Sequence, residues 1–402
     1  MESIKPVRIA LLGFGTVGQG VWAILQEQAE RLAAVLGQTP EIAAILVRDA
    51  GKPRDVVVPR HLLVTDADSI LSDDSIAVLL EATGDTELGY QVVKQGLLKG
   101  KHVITASKAL LSQHMEELSA LAARQGCHLL YEASVCAGMP LIKPLKDLPQ
   151  LGDVTSLRGV INGSCNYILH AMQEGQSYGE AVDHARRLGF LEADADSDLK
   201  GWDARRKLRI LASLAFQGSV LEEQIPCQGI DRIALEDVEV LSAAGYAVRL
   251  LGRAVCKDGS VSASVLPWAL PKGTVLAGVQ GAENLVEVDA QYLGRLCFGG
   301  PGAGRFPTAH AMVNDLVDVL QNRQPTANHL GERSLVPSAG EEPLTFYLRG
   351  EGWPQAYKLG ALGSGWMSHP LPLGQVLAML EEDPTRLAIA LENGEPRQGL
   401  SH

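Results

Sequence analysis

Residues 7–18 read VRIALLGFGTVG. The run 7–12 is almost continuously apolar and stops at a glycine, which describes a strand covered on both faces. Gly13, Gly15 and Gly18, with Phe14, Thr16 and Val17 between them, then give the spacing G-x-G-x-x-G. A helical period follows from Val17 to about Leu36. The motif therefore closes a strand and opens a helix, which is the context in which it holds a dinucleotide. Gly13 permits the tight turn, Gly15 lets the backbone approach a diphosphate, and Gly18 lets the helix pack on the strand. The anion would face the helix N-terminus near Thr16, where free N–H groups collect. The competing reading is a glycine-rich turn with no ligand.

Outward from this turn, apolar runs at Ile42–Val47, Ile76–Leu80, Lys101–Thr105 and 128–131 alternate with helical periods at 88–99 and 112–125. Such alternation implies right-handed crossovers and a parallel sheet. The expectation is an α/β, doubly wound nucleotide-binding domain over residues 1–139. After Pro140 the rhythm changes. Strands are expected at 154–162 and 246–266, and helices at 165–174, 178–188 and 202–217, which reads as an α+β domain over 140–307. An amphipathic helix at 308–321, in a segment 308–325, returns to the first domain. Residues 326–402 are expected to form a small C-terminal region, loop-like to about 343, with strands at 345–349 and 386–391 and a helix at 373–382.

The chain of 402 residues exceeds one hydrophobic core, so two or three domains are expected. A net charge of −12 disfavours nucleic acid or an anionic membrane as the main partner. The six cysteines, at 127, 136, 165, 227, 256 and 297, have no C-x-x-C spacing and fit a reducing compartment. The N-terminus reads as a strand rather than a signal peptide, and no apolar run reaches membrane-spanning length. The expectation is a cytoplasmic protein with a small-molecule substrate.

The second strand ends in Val47-Arg48-Asp49, with Lys52 and Arg54 close by. An arginine here accepts a ribose 2′-phosphate and an acidic residue binds the 2′-hydroxyl. Arg48 favours NADP, Asp49 keeps NAD open, and a solvated charged loop is the third reading. Thr83-Gly84, after another strand, should border the cofactor.

Four further segments concentrate small, polar and acidic residues between apolar elements, as site loops do. They are YEASVCAGMP (131–140), GVINGSCNYI (159–168), LGFLEAD (188–194) running on to GWDARRKL (201–208), and GGPGAG (299–304) followed by PTA (307–309). With these the sequence resembles homoserine dehydrogenase from about residue 7 to about 320. The resemblance implies a Rossmann-type first domain and a catalytic and dimerisation domain after it. It also implies NAD(P)H-dependent reduction of L-aspartate 4-semialdehyde to L-homoserine, toward threonine and methionine.

The resemblance assigns catalysis to Lys207, Lys108 and Asp203, and substrate binding to Glu192, Asp203 and Lys207. Asp203 and Lys207, four apart, share one helix face. A lysine beside a developing alkoxide can act as general acid and electrostatic stabiliser. The bland reading of the pair is an exposed helix ion pair. Lys108 ends VITASK (103–108), beyond a strand's C-terminal end, where ligands of such sheets bind. Ser107 stands where the family usually has asparagine. Gly189 and Gly302 join the cofactor-binding set, together with Ser107 and Lys108. The Glu132 segment resembles the family's sodium loop, with the carboxylate of Glu132 and the carbonyls of Val135, Ala137 and Met139 as ligands. An ordinary hinge is the alternative, and Cys136 and Cys165 read as small apolar fillers rather than nucleophiles.

Two rival functions stand beside this one: a related dehydrogenase for another small amino or hydroxy aldehyde, motivated by Ser107, Cys136 and Cys165, and a nicotinamide-binding sensor without turnover. The tail is short for the family's regulatory ACT domain, and GEGWPQ (350–355) lacks its Asp-x-x-Gly turn. It reads as a degenerate remnant. A homodimer or higher homo-oligomer is implied by the resemblance alone.

Overall fold

The computed structural model describes residues 6–191, 195–323, 330–331 and 333–392. Two compact units divide the chain: Met1–Gln150 with Gln217–Ser219 and Gly300–Glu332, and Leu151–Phe216 with Val220–Gly299 and Arg333–His402.

The first unit begins with β1 (Val7–Leu12), α1 (Thr16–Glu27), α2 (Ala29–Leu36), β2 (Pro40–Leu46), β3 (Leu63–Val64), α3 (Ala67–Leu71), β4 (Ile76–Glu81), α4 (Thr86–Leu98), β5 (His102–Thr105), α5 (Lys108–Gln125), β6 (Leu129–Leu130) and α6 (Ile142–Asp147). The six strands lie in the order β3-β2-β1-β4-β5-β6, every neighbouring pair parallel. That is the doubly wound order expected, with β1 at the switch point beside β4. Ile9, Leu11, Val78, Leu80 and Ile104 are fully buried, as a sheet covered on both faces requires. The single helix expected over 17–36 is two, broken at Gln28, where the backbone leaves helical geometry (φ −105°, ψ 15°). No glycine or proline marks that break.

The second unit runs β7 (Val154–Val160), α7 (Gly163–Gln173), α8 (Tyr178–Arg187), α9 (Asp196–Leu199), α10 (Trp202–Ala215), α11 (Leu235–Ala243), β8 (Tyr246–Lys257), β9 (Ser260–Pro271), β10 (Glu283–Ala290) and β11 (Gly294–Pro301). After α12 (Arg305–Leu320) come β12 (Val336–Pro337), β13 (Pro343–Arg349), β14 (Lys358–Leu362), β15 (Gly365–Ser368), β16 (Leu371–Pro372), α13 (Leu373–Glu382) and β17 (Leu387–Leu391). One sheet has the order β11-β10-β7-β8-β9-β17-β13-β15-β14. Helices α7, α10 and α11 pack on β8. Leu373, Val376 and Leu380 of α13 join Ala247, Leu251, Leu266 and Phe346 in a buried cluster.

Two expectations change here. The strand expected over 246–266 is a hairpin, because Asp258 and Gly259 both take positive φ (51° and 79°) between the paired Lys257 and Ser260. A two-residue Asp-Gly turn of this kind has the twist that joins antiparallel strands. The C-terminal region, in its described part, does not close a sheet of its own. β17 pairs parallel with β9, Ala390 opposite Trp268, so the tail extends the preceding sheet.

Helix α12 belongs to the first unit, and Gly20 explains its seat on α1. A Cβ there would stand 2.8 Å from the carbonyl oxygen of Arg305 and 2.9 Å from Ala309 Cβ. Any larger residue would push the two helices apart. No described helix is long and apolar enough to cross a membrane.

Candidate active site

In the first unit, Gly13 turns at φ 94°, and a Cβ there would lie 2.4 Å from the carbonyl oxygen of Ala82. Gly18 approaches the Gly13 carbonyl as closely, whereas a Cβ on Gly15 would meet nothing within 4 Å. Gly13 and Gly18 thus hold the turn tight while Gly15 faces open space, as a cradle for a diphosphate must. No side chain caps α1, whose N-terminal N–H groups remain for an anion. Phe14 is buried edge-on against Trp22, with the Arg54 guanidinium over its ring. Thr16 and Val17 open α1.

The neighbouring turns are fastened by a residue that sequence reasoning missed. Glu81, wholly buried at the end of β4, accepts from the Thr83 backbone N–H (2.8 Å) and hydroxyl (2.7 Å) through Oε1. Its Oε2 accepts from the Thr105 hydroxyl, which in turn accepts the Ser107 N–H. One carboxylate thereby ties the Thr83-Gly84 turn to the turn that carries Ser107 and Lys108. A carboxylate ending an apolar strand was the available signal. Ser107, the departure from the family pattern, caps α5 by accepting from Leu110 N–H, and Lys108 is that helix's first residue. Arg48 forms an ion pair with Asp85 at 3.0 Å, and Asp49 Oδ1 accepts from its own loop at Gly51. Gly302 lies in the turn before α12.

Glu132 is buried, and its carboxylate accepts the backbone N–H groups of Leu141, Ile142 and Lys143 at the start of α6. Cys136 and Ala137 take positive φ (53° and 52°), and the Cys136 carbonyl accepts from the Met139 N–H. The carbonyls of Val135, Ala137 and Met139 alternate with it. Asp315 accepts from the Glu132 N–H, and burial with the Glu132 charge pushes it up to about 7. Burial pulls Lys146 down to about 8. Among the described residues no group of three His, Cys, Asp or Glu is placed to hold a metal ion.

In the second unit, Asp203 and Lys207 are buried, so their pair is not an exposed helix ion pair. Lys207 Nζ lies 2.8 Å from Asp203 Oδ2 and donates to the Ile161 carbonyl at 2.8 Å. Asn162 gives its amide hydrogens to Asp203 Oδ2 (2.9 Å) and Asp198 Oδ1 (2.7 Å), and its Oδ1 accepts from Cys165 N–H (2.8 Å). Asn162 lies within the segment 159–168 and Asp198 between the segments 188–194 and 201–208, and neither was singled out by sequence. Their signal was polarity next to a strand end, shared by many loop residues. A buried ion pair persists when further hydrogen bonds compensate its desolvation, and here Asn162 and Ile161 supply them. Cys165 lies fully buried; burial, then the carboxylates of Asp198 and Asp203, push its thiol well above the ordinary range. It is no nucleophile at neutral pH. Gly189 ends α8 in a left-handed turn (φ 77°). Glu192 lies outside the described residues.

Residues 13–132 match the family described as "Homoserine dehydrogenase, NAD binding domain", and 140–317 match "Homoserine dehydrogenase". The chain is 38% identical over 320 residues to a homoserine dehydrogenase of Bacillus subtilis, covering 79% of this chain and 74% of that one. With the Corynebacterium glutamicum homoserine dehydrogenase it shares 35% over 395 residues, 95% of this chain and 88% of the relative. The crystal structure of a homoserine dehydrogenase from Thiobacillus denitrificans superposes with a TM-score of 0.85 at 28% identity, over 98% of this chain and all of that one. A nucleotide cradle, a buried acid–lysine pair and these matches over most of the chain have one reading: an NAD(P)-dependent oxidoreductase acting on a CH–OH group, belonging to the homoserine dehydrogenase family.

Proposed function

We propose that Lys207 is the proton donor in the NAD(P)H-dependent reduction of L-aspartate 4-semialdehyde to L-homoserine. The observation that carries this reading is the buried Lys207, oriented from two sides by Asp203 and the Ile161 carbonyl. When bound, the reduced nicotinamide supplies the hydride to the aldehyde carbon. As negative charge grows on the carbonyl oxygen, Lys207 stabilises it and passes a proton to it. Asp203 and Glu192 bind the substrate's amino group. Lys108, at the head of α5, assists at the nicotinamide end.

The cradle at Gly15 fits a diphosphate, with Gly13, Phe14, Thr16, Val17 and Gly18 around it and Thr83, Gly84, Ser107, Gly189 and Gly302 completing the set. Arg48 supports NADP as the preferred dinucleotide, since a guanidinium matches a 2′-phosphate. The Glu132 loop fits a hard monovalent cation such as sodium. Three backbone donors occupy a carboxylate with about four acceptor positions, and the positive φ at Cys136 and Ala137 turns the loop sharply. Glu132 with the carbonyls of Val135, Ala137 and Met139 would hold it. We assign the protein to the cytoplasm as a homodimer or higher homo-oligomer, on its scattered free thiols and the family resemblance respectively.

The test is purified protein with NADPH and aspartate semialdehyde, followed by loss of nicotinamide absorbance. Lys207→Ala should lower turnover by about 10²–10⁴-fold while NADPH still quenches protein fluorescence. Full turnover in that variant would overturn the assignment of Lys207.

A further inference from the structure

Arg48 follows β2 and Asp85 follows β4, and β1 lies between those two strands. Neighbouring strands are about 4.8 Å apart. Arg48 Nη2 and Asp85 Oδ2 meet at 3.0 Å, so the two side chains together reach across the two strand spacings, about 10 Å, that separate β2 from β4. The pair therefore joins the loops that follow the two strands flanking β1, at the edge of the parallel sheet where β1 turns into α1.

Arg54, Asp49 and Arg305 are bonded elsewhere, and Lys52 shares the loop of Arg48. Arg54 donates to the carbonyls of Asp49, Ala50 and Lys52, and Asp49 folds back on Gly51. Arg305 pairs with Asp55. Asp85 has a second duty: its Oδ1 caps α4 by accepting from Leu88 N–H at 3.1 Å. That cap fixes the carboxylate where it stands, so the mobile half of the pair is the long arginine, three-quarters exposed.

From this geometry we propose that Asp85 sets the preference between the two nicotinamide dinucleotides by competing with the 2′-phosphate for Arg48. The proposal rests on the reading of the Gly13–Gly18 turn as a nicotinamide dinucleotide site. NADPH must draw the guanidinium off Asp85 to engage it. NADH carries a neutral 2′-hydroxyl and leaves the pair intact. Exposed ion pairs are weak, so the exchange is reversible and its effect modest. Salt should shrink the effect.

The test is calorimetric titration of the full chain with NADPH and with NADH, no substrate present. Asparagine caps helices as well as aspartate does, so Asp85→Asn keeps α4 while removing the charge. Asp85→Asn should tighten NADPH about two- to fivefold and leave NADH unchanged. Arg48→Gln should weaken NADPH about tenfold or more, again sparing NADH. In the double variant the Asp85→Asn gain should vanish, because its beneficiary is gone. Equal effects on both dinucleotides, no effect on NADPH, or a gain that survives in the Arg48→Gln background would each overturn the proposal. Wild-type protein that binds neither dinucleotide would instead remove the underlying reading of the turn, and the proposal with it.

Discussion

Asn162 Nδ2 lies 2.9 Å from Asp203 Oδ2, the same oxygen that stands 2.8 Å from Lys207 Nζ. The acid is therefore held by an amide on one side and presented to the lysine on the other. On the role proposed for Asp203, Asn162 is a positioning residue. Asn162→Ala removes a donor to two carboxylates and the cap of α7. Losing a hydrogen bond to a charged group amounts to about 1.5–3 kcal/mol, which is roughly 10–100-fold in rate. Turnover should fall by that much with little change in NADPH affinity. Asn162→Asp should be worse, since a third carboxylate replaces the donor. Steady-state kinetics that show Asn162→Asp at wild-type rate would sink the positioning role.

Asp203→Asn tests the pair from the other side. The amide keeps an acceptor for Asn162 but leaves the Lys207 ammonium buried without its counter-charge. Breaking a buried pair this way typically destabilises by about 3–5 kcal/mol. Chemical denaturation should give a clear loss of stability, and turnover should drop together with affinity for the amino aldehyde. A variant as stable and as active as wild type contradicts both duties of Asp203.

Glu81 organises two turns from inside the sheet, through Thr83 and Thr105. Glu81→Leu removes the acceptor of the Thr83 N–H and of the buried Thr105 hydroxyl, at about 1–3 kcal/mol for a buried group left unsatisfied. Thermal unfolding should shift down, and dinucleotide affinity should fall even below the melting range. Glu81→Gln, which keeps one acceptor oxygen, should sit between. If Glu81→Leu bound dinucleotide as wild type does, the turns must be ordered by something else.

Thiol chemistry offers an independent check on the second unit. Cys165 is fully buried and its thiol stays protonated well above neutrality, whereas Cys297 is exposed. At mildly alkaline pH, alkylation read by mass spectrometry should label Cys297 first and leave Cys165 unmodified in the native state. Turnover should survive that labelling. Early modification of Cys165 with loss of activity would restore it as a reactive group.

Local features were legible without coordinates. The Gly13–Gly18 turn is specified by residues within six positions of each other, and the side-chain face shared by Asp203 and Lys207 follows from helical period alone. The Asp258-Gly259 turn was equally local, and its Asp-Gly signal was present though unused. Family resemblance supplied the roles of Lys108 and Glu192, which periodicity could not. Folding added the partners drawn from distant chain positions. Asn162 reaches Asp203 across forty-one residues, Glu81 reaches Thr105 across twenty-four, and Arg48 reaches Asp85 across thirty-seven. Each of these side chains is one polar residue among many in a loop or at a strand end. Only the packing of strands and helices brings its partner to about 3 Å. The tail's place beside β9 has the same cause, because a strand edge takes whichever segment the packed core delivers to it.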